Sequence, residues 1–401
     1  MKSEWKTMRL GELASVQIGR TPSRTDASLW DKKRSSSNVW LSIADLNKTD
    51  RKIVHDSKEY ISDKGAKGGV VIPAGTLLCS FKLTLGRLAY AGRNLYTNEA
   101  IAAITIKNDR VLLKEFLYWF LSFFDWQKAA EGDEKVKGKT FNKKKLQEIQ
   151  ICFPELVEQR RIVKLLDEAF TAIDIAKANT EKNLKNAREV FESHLNSVFT
   201  QRGEGWVKKP LGELCEGVEY GSSAKSAREG RVPVLRMGNI QDGRFDFRDL
   251  AYSNDELEIE KYLLSYNDVL FNRTNSPELV GKTAIFKGET QAIFAGYLIR
   301  IHRKADLLDA DYLNYFLNSK IARDYGKTVM SSSVNQANIN GAKLKSYPIP
   351  SPPLAEQQRI VSKIEDILSE TRRLEGVYKT KLALVAELKK SLLHQAFSGN
   401  L

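Results

Sequence analysis

Two stretches of the chain set apolar residues three or four positions apart for far longer than a small module needs. In residues 155–200 the stripe is Leu166, Phe170, Ile173, Leu184, Ala187, Phe191, Leu195 and Val198. In residues 353–397 it is Ile364, Leu368, Leu382, Val385, Leu388 and Leu392. This spacing predicts two long amphipathic helices with a coiled-coil-like seam, each about 60 Å long at 1.5 Å per residue. Pro154 and Pro352–Pro353 punctuate their starts. Neither stripe can remain in water, so the helices are expected to pack against each other; the alternative is that each buries its stripe on its own neighbouring module. Lys177 falls within the expected seam and makes it imperfect.

Outside the helices the pattern changes to short apolar runs bounded by turn residues. Val70-Val71-Ile72, Thr76–Phe81 and Ala100–Ile106 read as strands, as do Asp268–Phe271 and Thr283–Phe286 further on. Leu112–Phe124 and Leu308–Leu317 read as helices. These segments pair up because the chain carries one plan twice. Trp5 with Leu10-Gly11-Glu12-Leu13 recurs as Trp206 with Leu211-Gly212-Glu213-Leu214. Pro154-Glu155-Leu156-Val157-Glu158-Gln159-Arg160-Arg161-Ile162-Val163 recurs as Pro352-Pro353-Leu354-Ala355-Glu356-Gln357-Gln358-Arg359-Ile360-Val361. So long a period is a domain duplication, not a solenoid. The expected fold is α+β: globular modules at 1–154 and 201–351, joined by two long antiparallel helices at 155–200 and 352–401, with a pseudo-two-fold internal repeat.

The formal net charge of +13 in 401 residues favours an anionic partner, most often nucleic acid. Cys79, Cys152 and Cys215 are scattered, so neither a disulfide framework nor a zinc ribbon is signalled, and a reducing cytoplasm fits. His55, His194, His302 and His394 show no metal spacing, and His194 and His394, on the long helices, are expected on the surface or in the seam. No apolar run is long enough for a bilayer. There is no phosphate-binding Gly-x4-Gly-Lys-(Ser/Thr). Ser351-Pro352-Pro353-Leu354 lacks the aromatic needed to stack a flipped adenine and reads as a helix start. The acidic pairs Asp167-Glu168 and Glu365-Asp366 read as first-turn residues favoured by the helix dipole.

The duplicated Pro-x-Leu-x-Glu-Gln-x-Arg-Ile-Val helix and the Trp-x4-Leu-Gly-Glu-Leu opening resemble the specificity subunit of type I restriction–modification enzymes, over essentially the whole chain. The resemblance implies that each module is a target-recognition domain reading one half of a bipartite, asymmetric double-stranded DNA site, with the helices fixing the unread spacer. It implies no catalysis and no cofactor in this chain. Two copies of a methyltransferase subunit carrying S-adenosylmethionine are expected to dock on the helices, and a third, ATP-driven restriction subunit can join. The docking candidates are the signature residues Glu158, Gln159, Arg161 and Ile162, and their counterparts Glu356, Gln357, Arg359 and Ile360. Two other readings stand beside this one: a self-contained methyltransferase with an unrecognised motif, and a bivalent DNA-binding regulator without a partner.

Candidate DNA contacts follow from residue chemistry. Lys137, Lys139, Thr140 and Asn142 lie in a lysine run that could also be a plain solvated loop. The stretch aligned with it in the second half holds Ser332, Asn335 and Gln336, amides and hydroxyls suited to adenine and phosphate. The loop after the central strand offers Lys82, Thr84 and Arg87 in the first half and Asn272, Arg273 and Asn275 in the second. Arg236 and Arg20 complete the set, the latter in a basic loop with Arg24, Trp30 and Lys32–Arg34 that could track phosphates.

Overall fold

In a computed structural model of the chain, residues 5–48, 52–131, 134–135, 138–139, 141–200, 206–333 and 336–398 are described. They fall into two units, residues 1–179 with 381–401 and residues 180–380.

In the first unit the strand Lys6–Arg9 pairs antiparallel with the strand Gln150–Phe153, so the module's two ends meet. The Leu-Gly-Glu-Leu motif between them and the next strand is one helical turn, Leu10–Leu13, with both leucines buried and the Glu12 carboxylate accepting from the Arg9 amide at 2.7 Å. The central sheet runs Ala14–Ile18, Ile101–Ile106, Leu77–Ser80, Leu88–Ala91 and Ile53–Val54 in spatial order. A smaller sheet sets Val39–Leu41 between Glu59–Tyr60, antiparallel, and Tyr96–Thr97, parallel. Helix Lys114–Phe123 lays Phe116, Leu117, Phe120 and Leu121 into the core.

The second unit repeats this plan. Val207–Pro210 pairs with Pro348–Ser351, and Leu211–Leu214 is again a single buried turn. Its central sheet is Cys215–Tyr220, Leu298–Arg303, Val269–Asn272 and Thr283–Ile285. Val232–Leu235 lies between Ala251–Ser253, antiparallel, and Ile293–Phe294, parallel. Of the expected strands only Val70-Val71 fails: both are exposed, and Ile72 alone makes an isolated bridge to Leu95. Pro73 and the left-handed Gly75 close that segment into a turn before a ladder can form.

The long helices are Leu156–Thr200 and Leu354–Phe397. Both expected fates of their stripes are realised. In the first unit Ile162 and Leu166 enter the module core from the start of one helix, and Ala396 from the end of the other, with Phe170, Leu392 and Phe397 packed alongside. In the second unit Ile360 and Ile364 enter from the start of the second helix, and Leu195 and Phe199 from the end of the first. Each unit also joins its two helix segments directly: Asp174 to Lys389 in the first, and Arg188 to Glu375 at 2.6 Å in the second. Lys177 and Leu388 do not sit in the seam; both are exposed. Asp167 is not a first-turn residue either. It lies several turns inside the helix, where its carboxylate accepts from the Trp119 indole at 2.9 Å and pairs with Lys52.

Candidate nucleic-acid interface

The duplicated signature is built the same way in both units, and it faces two ways. Gln159 is fully buried. Its side-chain oxygen accepts from the Leu113 amide at 2.9 Å, and its side-chain nitrogen donates to the carbonyls of Val111 at 2.9 Å and Pro154 at 2.8 Å. Gln357, also fully buried, accepts from the Asp309 amide at 2.9 Å and donates to Leu307 at 2.8 Å and Pro352 at 2.9 Å. One amide thus satisfies three main-chain groups that would otherwise be orphaned where helix, loop and strand converge. Ile162 and Ile360 are buried beside them in the module cores. These four residues hold the helices to the modules and are withdrawn as docking positions, because they have no surface to offer. Glu158–Arg161 and Glu356–Arg359 occupy the outer face as bidentate pairs one turn apart. The Arg161 hydrogen bond holds the Glu158 carboxyl below its ordinary range.

The DNA candidates divide by what already occupies them. Asn272 is fully buried and donates to the Leu279 carbonyl at 3.3 Å, so it is corrected to a framework residue. Asn142 caps helix Lys143–Glu148, accepting from the Lys145 amide at 2.8 Å, and Asn340 does the same for Gly341–Lys345 at 3.0 Å. The cap engages the Asn142 oxygen, and the residue itself is exposed. Lys137, Thr140 and Asn335 lie outside the described residues. Lys139 is in the short strand Gly138–Lys139, paired with Glu134–Lys135. Ser332 and Gln336 are exposed on a three-stranded sheet, Ser331–Ser333 and Thr274–Asn275 flanking Gln336–Asn338. Asn275 is half-buried, its oxygen taking the Ser276 amide at 2.8 Å.

In the first unit, Lys82, Thr84 and Arg87 ride on a rigid turn. Gly86 sits there with φ +72°, and a Cβ at that position would meet the Trp126 ring at 2.3 Å. Arg87 is exposed, Lys82 half-buried, and Thr84 accepts from Asn47 at 3.4 Å. Arg20 is exposed, donates to the Gly68 carbonyl at 3.0 Å and lines a cavity of about 210 Å³ with Ser23, Lys64 and Tyr96. Two arginines of the expected phosphate-tracking loop are paired within the module, while Lys32 and Lys33 are exposed. Arg24 stacks 3.9 Å over Trp30 and pairs with Glu59, and Arg34 pairs with Asp56 at 2.6 Å. Arg236 is half-buried against Asp249 at 3.6 Å.

The sequence reading missed Val157, Ile175, Val190 and Leu384 and placed Leu388 in the seam; all five are large apolar side chains left exposed on the long helices. Val190 and Leu388 stand at equivalent positions of the two copies, a signal the repeat itself carried. All three cysteines are free. Among the described residues no group of three or more His, Cys, Asp or Glu could hold a metal ion, and no helix is long and apolar enough to cross a membrane.

Comparison with known proteins agrees in family and fold. The family model for the type I restriction modification DNA specificity domain matches residues 2–186 and 203–382. The putative type I restriction enzyme MjaX specificity subunit of Methanocaldococcus jannaschii is 30% identical over 199 residues, 49% of this chain and 46% of that protein. The type I restriction enzyme EcoKI specificity subunit of Escherichia coli K12 is 29% identical over 269 residues, 63% of this chain and 58% of that one. The matches thus span about half the length of these curated relatives. A solved structure concerned with complex assembly and conformational transition of the type I R-M system superposes with a TM-score of 0.77 over 100% of both chains at 20% identity, a likeness of fold.

Proposed function

The chain belongs to the type I restriction modification DNA specificity family, and on that basis we propose that it reads a bipartite, asymmetric duplex DNA site, one half-site per module, and leaves the chemistry to partner subunits. The observation that carries this reading is the duplication: two modules share one frame and one helix anchor, yet present different side chains on the loops beyond them. A single catalytic centre needs no second copy, whereas a split, asymmetric target does. The +13 charge supplies affinity for the phosphate backbone. Contacts from Lys82, Arg87, Arg20, Ser332 and Gln336 would divide into phosphate positioning and base reading. Half-sites read from one face of a duplex lie about 34 Å apart, which suits stiff helices as the spacer.

The partners on this reading are two methyltransferase subunits, which bring S-adenosylmethionine, and a restriction subunit where one is encoded. The exposed Ile175, Val190, Leu384 and Leu388 are better docking positions than the buried part of the signature, since apolar side chains of this size in water favour a protein cover. Work in the cytoplasm fits a DNA target.

The test is co-expression with the methyltransferase encoded beside it and mapping of methylated bases in host DNA. A gapped, two-part motif that needs both chains supports the proposal. Methylation by this chain alone would make it an enzyme, and partner-free specific binding without methylation would make it a regulator.

A further inference from the structure

The duplicated frame allows the two central sheets to be aligned residue by residue through their own hydrogen bonds. Ser80 stands opposite Ile101 in the first module, as Asn272 stands opposite Leu298 in the second. One residue on, the Phe81 amide donates to Ala100 at 3.1 Å and the Arg273 amide to Tyr297 at 3.0 Å. The Phe81 carbonyl accepts from Phe141 at 2.9 Å and the Arg273 carbonyl from Ile339 at 2.8 Å. On the neighbouring strand Ile18 faces Ala102, and Tyr220 faces Ile299. Three positions at the same end of the sheet are therefore Ile18, Phe81 and Ala100 in one module and Tyr220, Arg273 and Tyr297 in the other.

The first trio is framework: Phe81 is fully buried and Ala100 nearly so. The second trio is open, with Tyr220 41% and Tyr297 51% exposed. Arg273 occupies the place of a core phenylalanine with its guanidinium 4.9 Å over the Tyr220 ring, and its Nε is buried without a hydrogen-bond partner. Every other buried or half-buried arginine described in this module has a carboxylate or carbonyl: Arg236 with Asp249, Arg244 with Glu365, Arg300 with Glu219, and Arg303 with Leu308. The Tyr220 hydroxyl is itself fixed, accepting from the Gly341 amide at 2.8 Å. The platform under Arg273 is thus tied to the segment that follows the strand Gln336–Asn338.

A planar cation stacked on a fixed ring, with its fork unspent, is preorganised for two acceptors lying in one plane. On the major-groove edge of a base pair, guanine O6 and N7 form such a pair. Phosphate oxygens could also meet it, and Lys343 donates to the Ser331 hydroxyl at 2.6 Å beside this sheet, but the amide and hydroxyls of Asn275, Ser331 and Ser332 are groups that serve base edges as well as phosphate. We infer that Arg273, held by Tyr220, reads a guanine in the half-site of the second module, a contact the first module does not have at the matching position. This inference rests on the reading of the chain as a bipartite DNA-recognition protein.

The experiment is a binding selection with the full chain, co-purified with the methyltransferase encoded beside it, on a randomised duplex library, for wild type, Arg273→Gln, Arg273→Phe and Tyr220→Leu, each checked for folding by thermal melting. Wild type should enrich a gapped motif with guanine in one half. Arg273→Gln should lose that preference by about 5- to 150-fold and move it toward adenine, leaving the other half unchanged. Arg273→Phe installs the residue of the twin position and should lose the guanine as well, and Tyr220→Leu should weaken it. Uniform weakening at every base with a shallower salt dependence would make Arg273 a phosphate contact and overturn the inference. An unchanged motif would overturn it too. Failure of wild type to enrich any gapped motif would instead remove the functional reading on which it stands.

Discussion

The two modules agree where their main chains are buried and disagree where their side chains are free. Gln159 and Gln357 make the same three hydrogen bonds within 0.1 Å of each other, and Asn142 and Asn340 cap equivalent helices. The same sheet end nevertheless carries Ile18, Phe81 and Ala100 in one module and Tyr220, Arg273 and Tyr297 in the other. The difference follows from cost. A buried carbonyl or amide left without a partner costs about 1–3 kcal/mol, so few substitutions are tolerated there. A residue at an open loop or sheet end carries no such penalty, so specificity can change without changing the frame.

The comparison can be broken most severely by exchange. Replacing residues 14–150 with the module of another family member should change one half of the methylated motif completely and leave the other intact; a change in both halves means the modules are not independent. Next in size, about four residues inserted into one long helix, roughly 6 Å of rise, should lengthen the preferred spacer while both half-sites stay the same. An unmoved spacer would show that the helices are not the ruler. Gln159→Leu should cost about 2–4 kcal/mol locally, from the main-chain groups it orphans. Hydrogen exchange should then speed up at the Leu113 amide, and Gln357→Leu should do the same at Asp309; unequal effects would mean the two anchors are not equivalent. Asn142→Ala and Asn340→Ala should each cost about 1 kcal/mol as lost helix caps, read by urea denaturation. Smallest of all, Arg161→Ala and Arg359→Ala remove exposed pairs one turn apart and should leave stability unchanged in the same measurement.

Much of the fold was legible because its signals are periodic or local. The apolar spacing and the flanking prolines put the helix starts within a residue or two of Leu156 and Leu354, and the β-rich runs put strands at Leu77–Ser80 and Ile101–Ile106. What the sequence hid were polar residues doing core work. Gln159 was read as a docking residue from its place in the signature, but it continues the stripe of Ile162, Leu166, Phe170 and Ile173 at the same spacing, and Gln357 precedes Ile360, Ile364 and Leu368 in the same way. Its place in the register, rather than its polarity, was the better guide. Asn272 misled for a related reason: it ends a buried strand, and the chain folding back through Leu279 gives its side-chain nitrogen a partner. Arg24 read as a phosphate contact because pairing with Glu59 and stacking on Trp30 are tertiary facts with no local trace.

The core of the first module is completed by residues far along the chain. Phe397 lies edge-on to Phe116 and Phe120 and stacked on Phe123, and Ala396 is fully buried in the same cluster. On the ribosome, the remainder of that module therefore emerges well before the segment that covers it, by about 10–50 s at ordinary elongation rates. For that interval three phenylalanines stay uncovered on a nearly finished module. Translation speed through the second half of the message, and any chaperone that shields aromatic surface in the meantime, then bear on how much of this protein reaches its native state.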